Sequence, residues 1–384
     1  MAGRKKHGPP LLSRSPLSLS PSPIGRLKKL SSPLKRRLLS AVAAGMAACV
    51  VVTGCTRADE NTDAQAEDQG PAEEVRLGYF PNVTHAPAII GLEQGYFADE
   101  LGDTELTTQT FNSGTEEVNA LLGGSLDIGY IGSGPAINAF TKSEGQIQLV
   151  SGAVSGGAQL VVDPEITDTD QLKGKTIATP SLGNTQDVAL KKWLDSENLT
   201  GDVEVANLDN PQTFDAFRSG EVDGGWLPEP WSSRLVEEAG AKVLIDEKDL
   251  WPRGEFPTTV MVVRSEFLQQ HPDTVRALVK GSLQATTWAG EHTEQAQDVV
   301  DKGIQKVTGS DLPGPVMDRA FANLDLSPDP VSSSFPQLAQ DSVTAGVVEE
   351  KADLKGFVDL RLLNELRDAE GQPAIETAGL QAEQ

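Results

Sequence analysis

A short motif that occurs twice in the chain constrains its fold more than any other feature. The motif follows the pattern G-x-[LV]-D-x-G-[YW]-[IL], and its copies at 124–131 and 220–227 lie 96 residues apart. Farther upstream, 75–82 is echoed by 174–181 at a displacement of 99 residues. Strand-like and helix-like spacing alternate in both copies. The repeat therefore predicts two similar α/β lobes with largely parallel sheets.

The rest of the pattern supports this organisation. Each copy opens with a strand that a proline ends, at Pro81 and at Pro180. Segments with helical spacing at 116–122 and 185–197 supply the crossovers that parallel strands require. Nothing after residue 284 repeats the lobe pattern, so we expect the C-terminal hundred residues to form helices and loops that pack back on the first lobe.

The N-terminus has the features of a secretion signal. Residues 1–54 carry ten Lys/Arg and no acidic residue, and an apolar stretch of roughly 15 residues ends in small residues before Cys55. Small residues directly before a cysteine resemble the bacterial lipobox, which predicts cleavage before Cys55 and lipidation of its thiol. Arg36 and Arg37 leave export by the twin-arginine route open. Residues 55–74 are acidic and poor in apolar side chains, which predicts a disordered tether.

The charge of the mature chain excludes one class of partner. The whole chain carries 56 acidic and 32 basic residues, and removal of ten basic residues changes the net charge from −24 to −34. A chain this acidic is a poor candidate for nucleic acid, because phosphate binding depends on clustered Lys/Arg. Once Cys49 has left with the signal and Cys55 is lipidated, no thiol remains for a disulfide or a metal. We expect no cofactor, no metal site and no catalytic residue.

Two α/β lobes enclose a cleft, and ligands of open α/β sheets bind beyond the carboxyl ends of the strands. The loops that follow the predicted strands are therefore expected to converge there. Their glycines allow close approach of the backbone, and their hydroxyls and amides offer neutral donors and acceptors. The candidate ligand-binding residues are Asn82, His85, Ser113, Gly114, Thr115, Ser133, Gly134, Gly183, Asn184, Thr185, Gln186, Glu229 and Trp231.

Several of these residues have more than one possible role. Ser113 or Thr115 would cap the helix that follows, or bind anionic oxygens of a ligand. His85 would be a proton donor, a base or a residue at a helix start, and no Ser/Asp partner can be assigned to it by spacing. Glu229 would bind a donor on the ligand or hold the two lobes together.

Four stretches together carry a family resemblance. GYFPNVTHAPAIIGLEQGYF, GSLDIGYIGSGPAINAF, SLGNTQDVALKKWL and VDGGWLPEPWSSRL, within 75–283, resemble the substrate-binding lipoproteins of ABC importers for nitrate, sulfonates and taurine. The resemblance implies a type II-like, two-lobed periplasmic-binding-protein fold that closes on ligand like a hinged trap. It implies crossings between the lobes near 161–172 and 258–265. Carried over by motif, it places ligand contacts near Asn82, His85, Ser113, Ser133, Asn184, Thr185 and Glu229.

The sequence therefore favours a monomeric receptor, lipid-anchored outside the cytoplasm, that captures a small oxyanion and delivers it to a permease and its ATPase. One alternative is the same receptor for a thiamine-precursor pyrimidine or another amine-bearing heterocycle. A more remote alternative is an extracytoplasmic enzyme that uses His85 or Glu229. The predicted divisions are a signal peptide (1–54), a tether (55–74), a first lobe (75–165 and 262–384) and a second lobe (166–261).

Overall fold

The computed structural model describes residues 67–382. The predicted signal peptide, Cys55 and most of the predicted tether lie outside the described residues. Eleven strands are present in the described part: β1 Glu74–Tyr79, β2 Glu105–Thr110, β3 Ile128–Gly132, β4 Ile147–Gly156, β5 Ala158–Val162, β6 Thr176–Thr179, β7 Glu204–Asn207, β8 Gly224–Pro228, β9 Lys242–Asp246, β10 Pro257–Arg264 and β11 Leu324–Leu326.

Thirteen α-helices connect and cover these strands within residues 67–382. They are α1 Ala86–Glu93, α2 Tyr96–Leu101, α3 Gly114–Leu122, α4 Ser133–Lys142, α5 Thr185–Ser196, α6 Asn210–Ser219, α7 Trp231–Ala239, α8 Ser265–Gln270, α9 Pro272–Glu291, α10 Thr293–Thr308, α11 Gly314–Ala322, α12 Phe335–Thr344 and α13 Arg361–Ala369. In the part of the chain that the structure describes, no helix is long and apolar enough to cross a membrane.

The two sheets have the same internal order. The first runs β2-β1-β3-β10-β4-β11, and the second runs β7-β6-β8-β5-β9. In each sheet three strands are parallel, and the fourth strand is antiparallel to its neighbours. The repeated segments of the sequence thus form equivalent strands in the two sheets, which confirms two α/β lobes of similar design.

The aspartate of each motif copy ties two parallel strands together. Asp127 accepts hydrogen bonds from the backbone N–H of Arg76 (3.0 Å) and from its Nε (2.8 Å). Asp223 accepts from the backbone N–H of Thr176 (2.9 Å) and from Nζ of Lys175 (2.9 Å). The motif therefore needs an acidic residue just before the third strand, because its carboxylate fixes the start of the first strand.

The second glycine of the motif makes room for a helix. A Cβ on Gly129 would stand 2.5 Å from Oε1 of Glu117, and a Cβ on Gly225 would stand 3.3 Å from Cγ2 of Thr213. Glu117 and Thr213 occupy equivalent positions on α3 and α6, 96 residues apart. The glycine thus lets one helix pack closely on the sheet in each lobe.

The core is continuous in the first lobe and divided in the second. One apolar cluster of the first lobe joins its sheet to α9, α10, α12 and the C-terminal segment, as the sequence predicts. The second lobe has a principal cluster around Trp193 and Trp226, whose rings lie 6.0 Å apart. Trp226, on β8, is fully buried within this cluster.

The chain crosses between the lobes at two places that differ from the sequence-based positions. The first crossing is Gly156 and Gly157, both at a φ of 75°, and the second is the segment 247–256. Strand β5 pairs with β8 and β9, so it lies in the second sheet, although the sequence division placed it in the first lobe. Strand β10 pairs with β3 and β4 and lies wholly in the first sheet.

The end of the predicted tether is ordered. Ala72 is buried, its N–H donates to Oγ1 of Thr274 (2.8 Å), and its carbonyl accepts from Oγ1 of Thr104 (2.7 Å). The prediction of disorder as far as residue 74 is therefore wrong for this stretch, because Ala72 satisfies one backbone group against α9 and the other against Thr104, just before β2.

Candidate functional site

A small cavity lies between the lobes, where the loops after the parallel strands meet. Its volume is about 40 Å³, room for a compact group of a few heavy atoms. We call it the cleft cavity. Its lining residues are Phe80, Asn82, Thr84, His85, Asn112, Gly114, Gly132, Pro135, Pro180, Asn184, Thr185, Gln186, Asn210, Pro228, Thr258 and Thr259.

Five helices begin at the cleft cavity. Lining residues belong to the first turn or the N-cap of α1, α3 and α4 in the first lobe and of α5 and α6 in the second. The first turn of a helix has backbone N–H groups without helical partners, and the helix dipole places partial positive charge there. The cavity therefore lies at a meeting point of positive dipole ends.

The cleft cavity has no charged lining side chain among the described residues, because its one ionisable group, His85, is neutral. Burial lowers the pKa of His85 to about 3, although a hydrogen bond to the Tyr130 carbonyl acts in the opposite direction. The imidazole stacks on Phe80 at 4.7 Å between ring centroids. A neutral ring in this position excludes water without adding charge.

The tautomer of His85 follows from its partners. Nε2 lies 3.1 Å from the carbonyl oxygen of Tyr130, and an oxygen of this kind only accepts, so Nε2 carries the proton. Nδ1 then accepts from the Thr84 hydroxyl at 3.2 Å. Because its only N–H is already bound, His85 has no proton to donate to an oxyanion, and its role is to position Thr84 and the cavity wall.

Three buried polar atoms beside the cavity have no hydrogen-bond partner within residues 67–382: Oγ of Ser133, Oγ of Ser181 and Oδ1 of Asn210. Asn210 lines the cavity, and the two serines directly follow the lining residues Gly132 and Pro180. Buried polar groups are nearly always paired, so unpaired groups in this place indicate a ligand or water.

The loop of the second lobe is held by Asp187, which is fully buried. Its carboxylate accepts from the Thr179 hydroxyl (3.0 Å), from the N–H of Gly183 (2.9 Å) and from Nζ of Lys191 (2.7 Å). Asn184 caps α5 by accepting from the N–H of Asp187 at 2.8 Å. These bonds give the loop one conformation before any ligand arrives.

Two hydrogen bonds cross the cleft between predicted site residues. The N–H of Gly134 donates to Oγ1 of Thr185 (3.1 Å), and Nε1 of Trp231 donates to Oδ1 of Asn82 (3.2 Å). We call these two bonds the cleft contacts. A Cβ on Gly132 would lie 2.7 Å from Oγ1 of Thr185, so the lobes approach this closely only because position 132 is glycine.

Glu229 does not line the cavity and instead joins the lobes beside the first crossing. Its Oε1 accepts from Nδ2 of Asn323 (2.7 Å) and from an amino group of Arg319 (3.3 Å). Arg319 also donates to Ser233 (2.8 Å) and to Gln159 (2.7 Å). We call these five residues the hinge network, since the N–H of Glu229 donates to the carbonyl of Gly157 in the crossing itself.

The structure thus divides the predicted site residues into three groups. Asn82, His85, Gly114, Asn184, Thr185 and Gln186 line the cleft cavity. Gly134 and Trp231 form cleft contacts, and Ser133 is buried beside the cavity with a free hydroxyl. Ser113, Thr115, Gly183 and Glu229 lie outside the lining, and neither Ser113 nor Thr115 caps α3 through its side chain.

Sequence reasoning missed several lining residues, and Asn210 is the most informative of them. The repeat could have identified it, because Asn210 begins α6 in the second lobe and Asn112 lies in the loop before α3, the equivalent helix of the first lobe. Thr258 and Thr259 gave no such signal, since they lie inside strand β10 and reach the cavity only through the pairing of β10 with β3.

Two further carboxyl groups are buried away from the cleft cavity. Both oxygens of Glu117 are unpartnered, and burial raises its pKa well above the usual value. Burial raises the pKa of Glu247 to about 8, although Nε1 of Trp226 donates to it at 2.6 Å. Within residues 67–382, no group of three or more metal-ligating side chains is present.

Comparison with known proteins agrees with the geometry. Residues 68–302 match the sequence profile of the NMT1-like family. The chain is 32% identical to the taurine-binding periplasmic protein of Escherichia coli (strain K12), over 56% of this chain and 67% of that one. It is 26% identical to the putative aliphatic sulfonates-binding protein of Bacillus subtilis (strain 168), over 82% of this chain and 92% of that one.

A solved structure shows the same fold. The alkanesulfonate-binding protein from Xanthomonas axonopodis pv. citri bound to MOPS superposes with a TM-score of 0.63 at 20% identity, over 73% of this chain and 96% of that one. The predicted two-lobed periplasmic-binding-protein fold and the resemblance noted in the sequence are confirmed.

Proposed function

This chain belongs to the NMT1-like family, and from that premise we propose that it is a solute receptor for a small oxyanion, an organic sulfonate in the first place. Taurine and nitrate are further candidates within the same chemical class. The receptor delivers its ligand to a membrane permease driven by an ATPase.

One observation carries the proposal: five helix N-termini meet at a cavity of about 40 Å³ that has no charged side chain in its described lining. Backbone N–H groups and helix dipoles stabilise an anion without lysine or arginine. Local dipoles therefore explain how a chain with a net charge of −24 can bind an anion. Ser133 and Ser181, which directly follow lining residues, each carry a buried hydroxyl that has no partner in the described protein.

The alternatives find less support in the same residues. The pyrimidine hypothesis depends on Glu229 and Trp231, but Glu229 is engaged by Arg319 and Asn323 and neither residue lines the cavity. An enzyme that uses His85 as an acid would need the Nε2 proton, which this imidazole donates to the Tyr130 carbonyl. The relatives described above are binding proteins, and we propose the same role rather than catalysis.

Closure follows from the position of the cavity. Its lining comes from both lobes, so an anion held there interacts with the helices of both only when the lobes are together. A ligand shifts a conformational equilibrium by its difference in affinity for the two states. The bound anion therefore stabilises the closed form, and the cleft contacts form with it.

We also propose how the receptor is placed. Export by the N-terminal signal and lipidation at Cys55 would hold a monomer at the outer face of the cell membrane or in the periplasm. A diacylated cysteine supplies the two chains that stable anchoring requires. The excess of acidic residues disfavours contact with an anionic bilayer, so we expect the lipid to hold the protein at the membrane.

A thermal-shift panel tests the proposal. Methanesulfonate, taurine and nitrate are compared with dimethyl sulfone, which has nearly the shape of methanesulfonate but no charge, and with an aminopyrimidine. We expect at least one oxyanion to raise Tm and dimethyl sulfone to leave it unchanged. Stabilisation by the pyrimidine with none from any oxyanion would contradict the proposal.

A further inference from the structure

A second and larger cavity lies beside the cleft cavity. Its volume is about 490 Å³, and we call it the side cavity. Its walls are α5 of the second lobe, the second crossing, and residues 331–342 of the first lobe. Gly134 and Thr185 line both cavities, and the hydrogen bond between these two residues (3.1 Å) separates the two spaces. A molecule in the side cavity therefore leaves the cleft cavity free for the oxyanion.

Two groups of opposite charge line the side cavity from different lobes. Asp341, on α12 of the first lobe, is only 5% exposed, and within residues 67–382 its carboxylate accepts from Nε2 of Gln337 alone (2.7 Å). Lys192, on α5 of the second lobe, is half-buried and makes no hydrogen bond or ion pair in the same part of the chain. Because buried charges are nearly always paired, both groups are suited to bind opposite charges of a ligand.

The other ionisable groups of this lining add no net charge. Nε of Arg253 donates to Glu255 at 2.9 Å, so these two side chains neutralise each other. Glu247 is uncharged at neutral pH, because burial raises its pKa to about 8. Lys192 and Asp341 thus contribute one charge of each sign to an otherwise neutral lining. A simple anion or a simple cation would satisfy only one of them.

Apolar side chains form much of the remaining wall. They include Val188 of α5, Leu250 and Trp251 of the second crossing, and Leu338 of α12. The Trp251 ring stacks on Phe256 with 6.2 Å between the ring centroids, which fixes its orientation. A fixed aromatic face is a good partner for an aliphatic group or a second ring. Cavities that bind whole organic molecules measure roughly 300 to 1,000 Å³, and the side cavity falls within that range.

We infer that the side cavity is a second ligand site, which takes a zwitterion with an apolar side chain, such as an aromatic α-amino acid. The carboxylate of this ligand binds Lys192, its ammonium group binds Asp341, and its side chain packs on Trp251. Because the two charged partners belong to different lobes, this ligand favours the closed form. The inference goes beyond the proposed function: the zwitterion is an effector that binds together with the oxyanion, and each ligand strengthens the binding of the other.

Titration calorimetry with L-phenylalanine tests this inference. 3-Phenylpropionate lacks the ammonium group and phenethylamine lacks the carboxylate, whereas both keep the phenyl ring. We expect each of them to bind at least about tenfold more weakly than L-phenylalanine, because each leaves one charge of the cavity without a partner. Saturating L-phenylalanine should lower the Kd of methanesulfonate about fivefold, and methanesulfonate should lower the Kd of L-phenylalanine by the same factor.

Two variants assign the charges of the ligand to their partners. Asp341→Asn should bind L-phenylalanine no more tightly than 3-phenylpropionate, and Lys192→Met should bind it no more tightly than phenethylamine. Both variants should keep the Kd of methanesulfonate, measured alone, within about twofold of the unmodified protein. Asp318→Asn on α11 and Lys302→Met on α10, both at exposed positions, are the matched controls and should leave all these affinities unchanged.

The outcomes separate this inference from the proposed function. Absence of L-phenylalanine binding, or equal binding of all three phenyl compounds, would overturn the inference and leave the proposed function intact. An increase in the Kd of methanesulfonate would also overturn it, because the amino acid would then occupy the cleft cavity. Binding of L-phenylalanine with no effect on methanesulfonate would overturn its role as an effector. Binding of L-phenylalanine without binding of any oxyanion would support the second site and contradict the proposed function.

Discussion

Two of the places where the lobes touch differ in chemistry. The hinge network is built on charge, with the fully buried Glu229 bonded to Arg319 beside the first crossing. The cleft contacts are two hydrogen bonds between neutral groups, from Gly134 to Thr185 and from Trp231 to Asn82. The hinge network combines a buried ion pair with several hydrogen bonds, whereas each cleft contact is one hydrogen bond of ordinary length.

This difference assigns different tasks to the two places. Breaking a buried ion pair leaves an uncompensated charge and costs several kcal/mol, whereas a neutral hydrogen bond contributes about 1 kcal/mol. The hinge network therefore keeps the lobes joined, and the cleft contacts are weak enough to break when the cleft opens. Changes in the hinge network should act on stability, and changes at the cleft contacts should act on ligand affinity.

The largest effect is expected from Arg319→Ala. The variant leaves the Glu229 carboxylate buried without its cation, which should lower the free energy of unfolding by about 3 to 5 kcal/mol. Urea denaturation measures the change. Arg276→Ala, which removes a surface pair with Glu365, is the control and should cost less than about 1 kcal/mol. Equal effects of the two variants would refute the assignment of the hinge network.

The second prediction concerns Glu247, at the start of the second crossing. Its pKa is raised to about 8 by burial, with Asp246 acting in the same direction and Lys192 against it. The unfolded chain loses this proton near pH 4.5, so the stability contributed by protonated Glu247 is complete below that pH and declines as the pH rises toward 8.

Glu247→Gln removes this pH dependence. Relative to the unmodified protein, the variant should gain about 2 kcal/mol in free energy of unfolding between pH 6 and pH 8. Denaturation curves at several pH values measure the difference in free energy of unfolding between the two proteins. Contributions from His85 and from other titrating groups cancel in this difference, because both proteins contain them. A difference that stays constant with pH would show that Glu247 is ionised in the folded protein.

Gly132→Ala is expected to act on affinity instead of stability. The new Cβ would stand 2.7 Å from Oγ1 of Thr185 in the closed form, so it should weaken ligand binding about thirtyfold, or about 2 kcal/mol. Calorimetry measures Kd, and small-angle scattering reports whether ligand still closes the lobes. Gly290→Ala, with no atom within 4 Å, is the matched control and should leave Kd unchanged.

The smallest effect is expected from Trp231→Phe. The variant loses the N–H that donates to Asn82, which should weaken binding about fivefold and change the free energy of unfolding little. Trp288→Phe, on α9 of the first lobe, controls for the loss of an indole. If the double variant with Asn82→Ala loses the full sum of the two single effects, the two side chains do not interact.

The sequence predicted the lobes because a short motif recurs at one spacing. Asp127 and Asp223 each stand directly before a strand and bond the start of another strand of the same lobe, and the glycines that follow them receive α3 and α6 in the same way. The repeat therefore identifies equivalent strands and helices. It also predicts that the loops around Asn82 and Thr185 meet, since both follow the first strand of their lobe.

The sequence failed where the deciding contact is distant or where one element continues into another. Strand β5 follows β4 after a single residue, so the apolar run 147–162 gives no sign that its last part pairs in the other sheet. The partner of Glu229 lies 90 residues away in α11, and no spacing rule connects them. These gaps concern the hinge, whereas six of the predicted site residues line the cleft cavity.

The central claim is that neutral donors at helix N-termini bind a compact anion and that the lobes close on it. Titration of the protein and of Gly132→Ala with methanesulfonate, each alongside dimethyl sulfone, tests it most directly. The account predicts one saturable site for the anion, no heat with the neutral sulfone, and affinity about thirtyfold weaker in the variant. Equal binding of the anion by both proteins, or binding of the neutral sulfone as tightly as the anion, would contradict it.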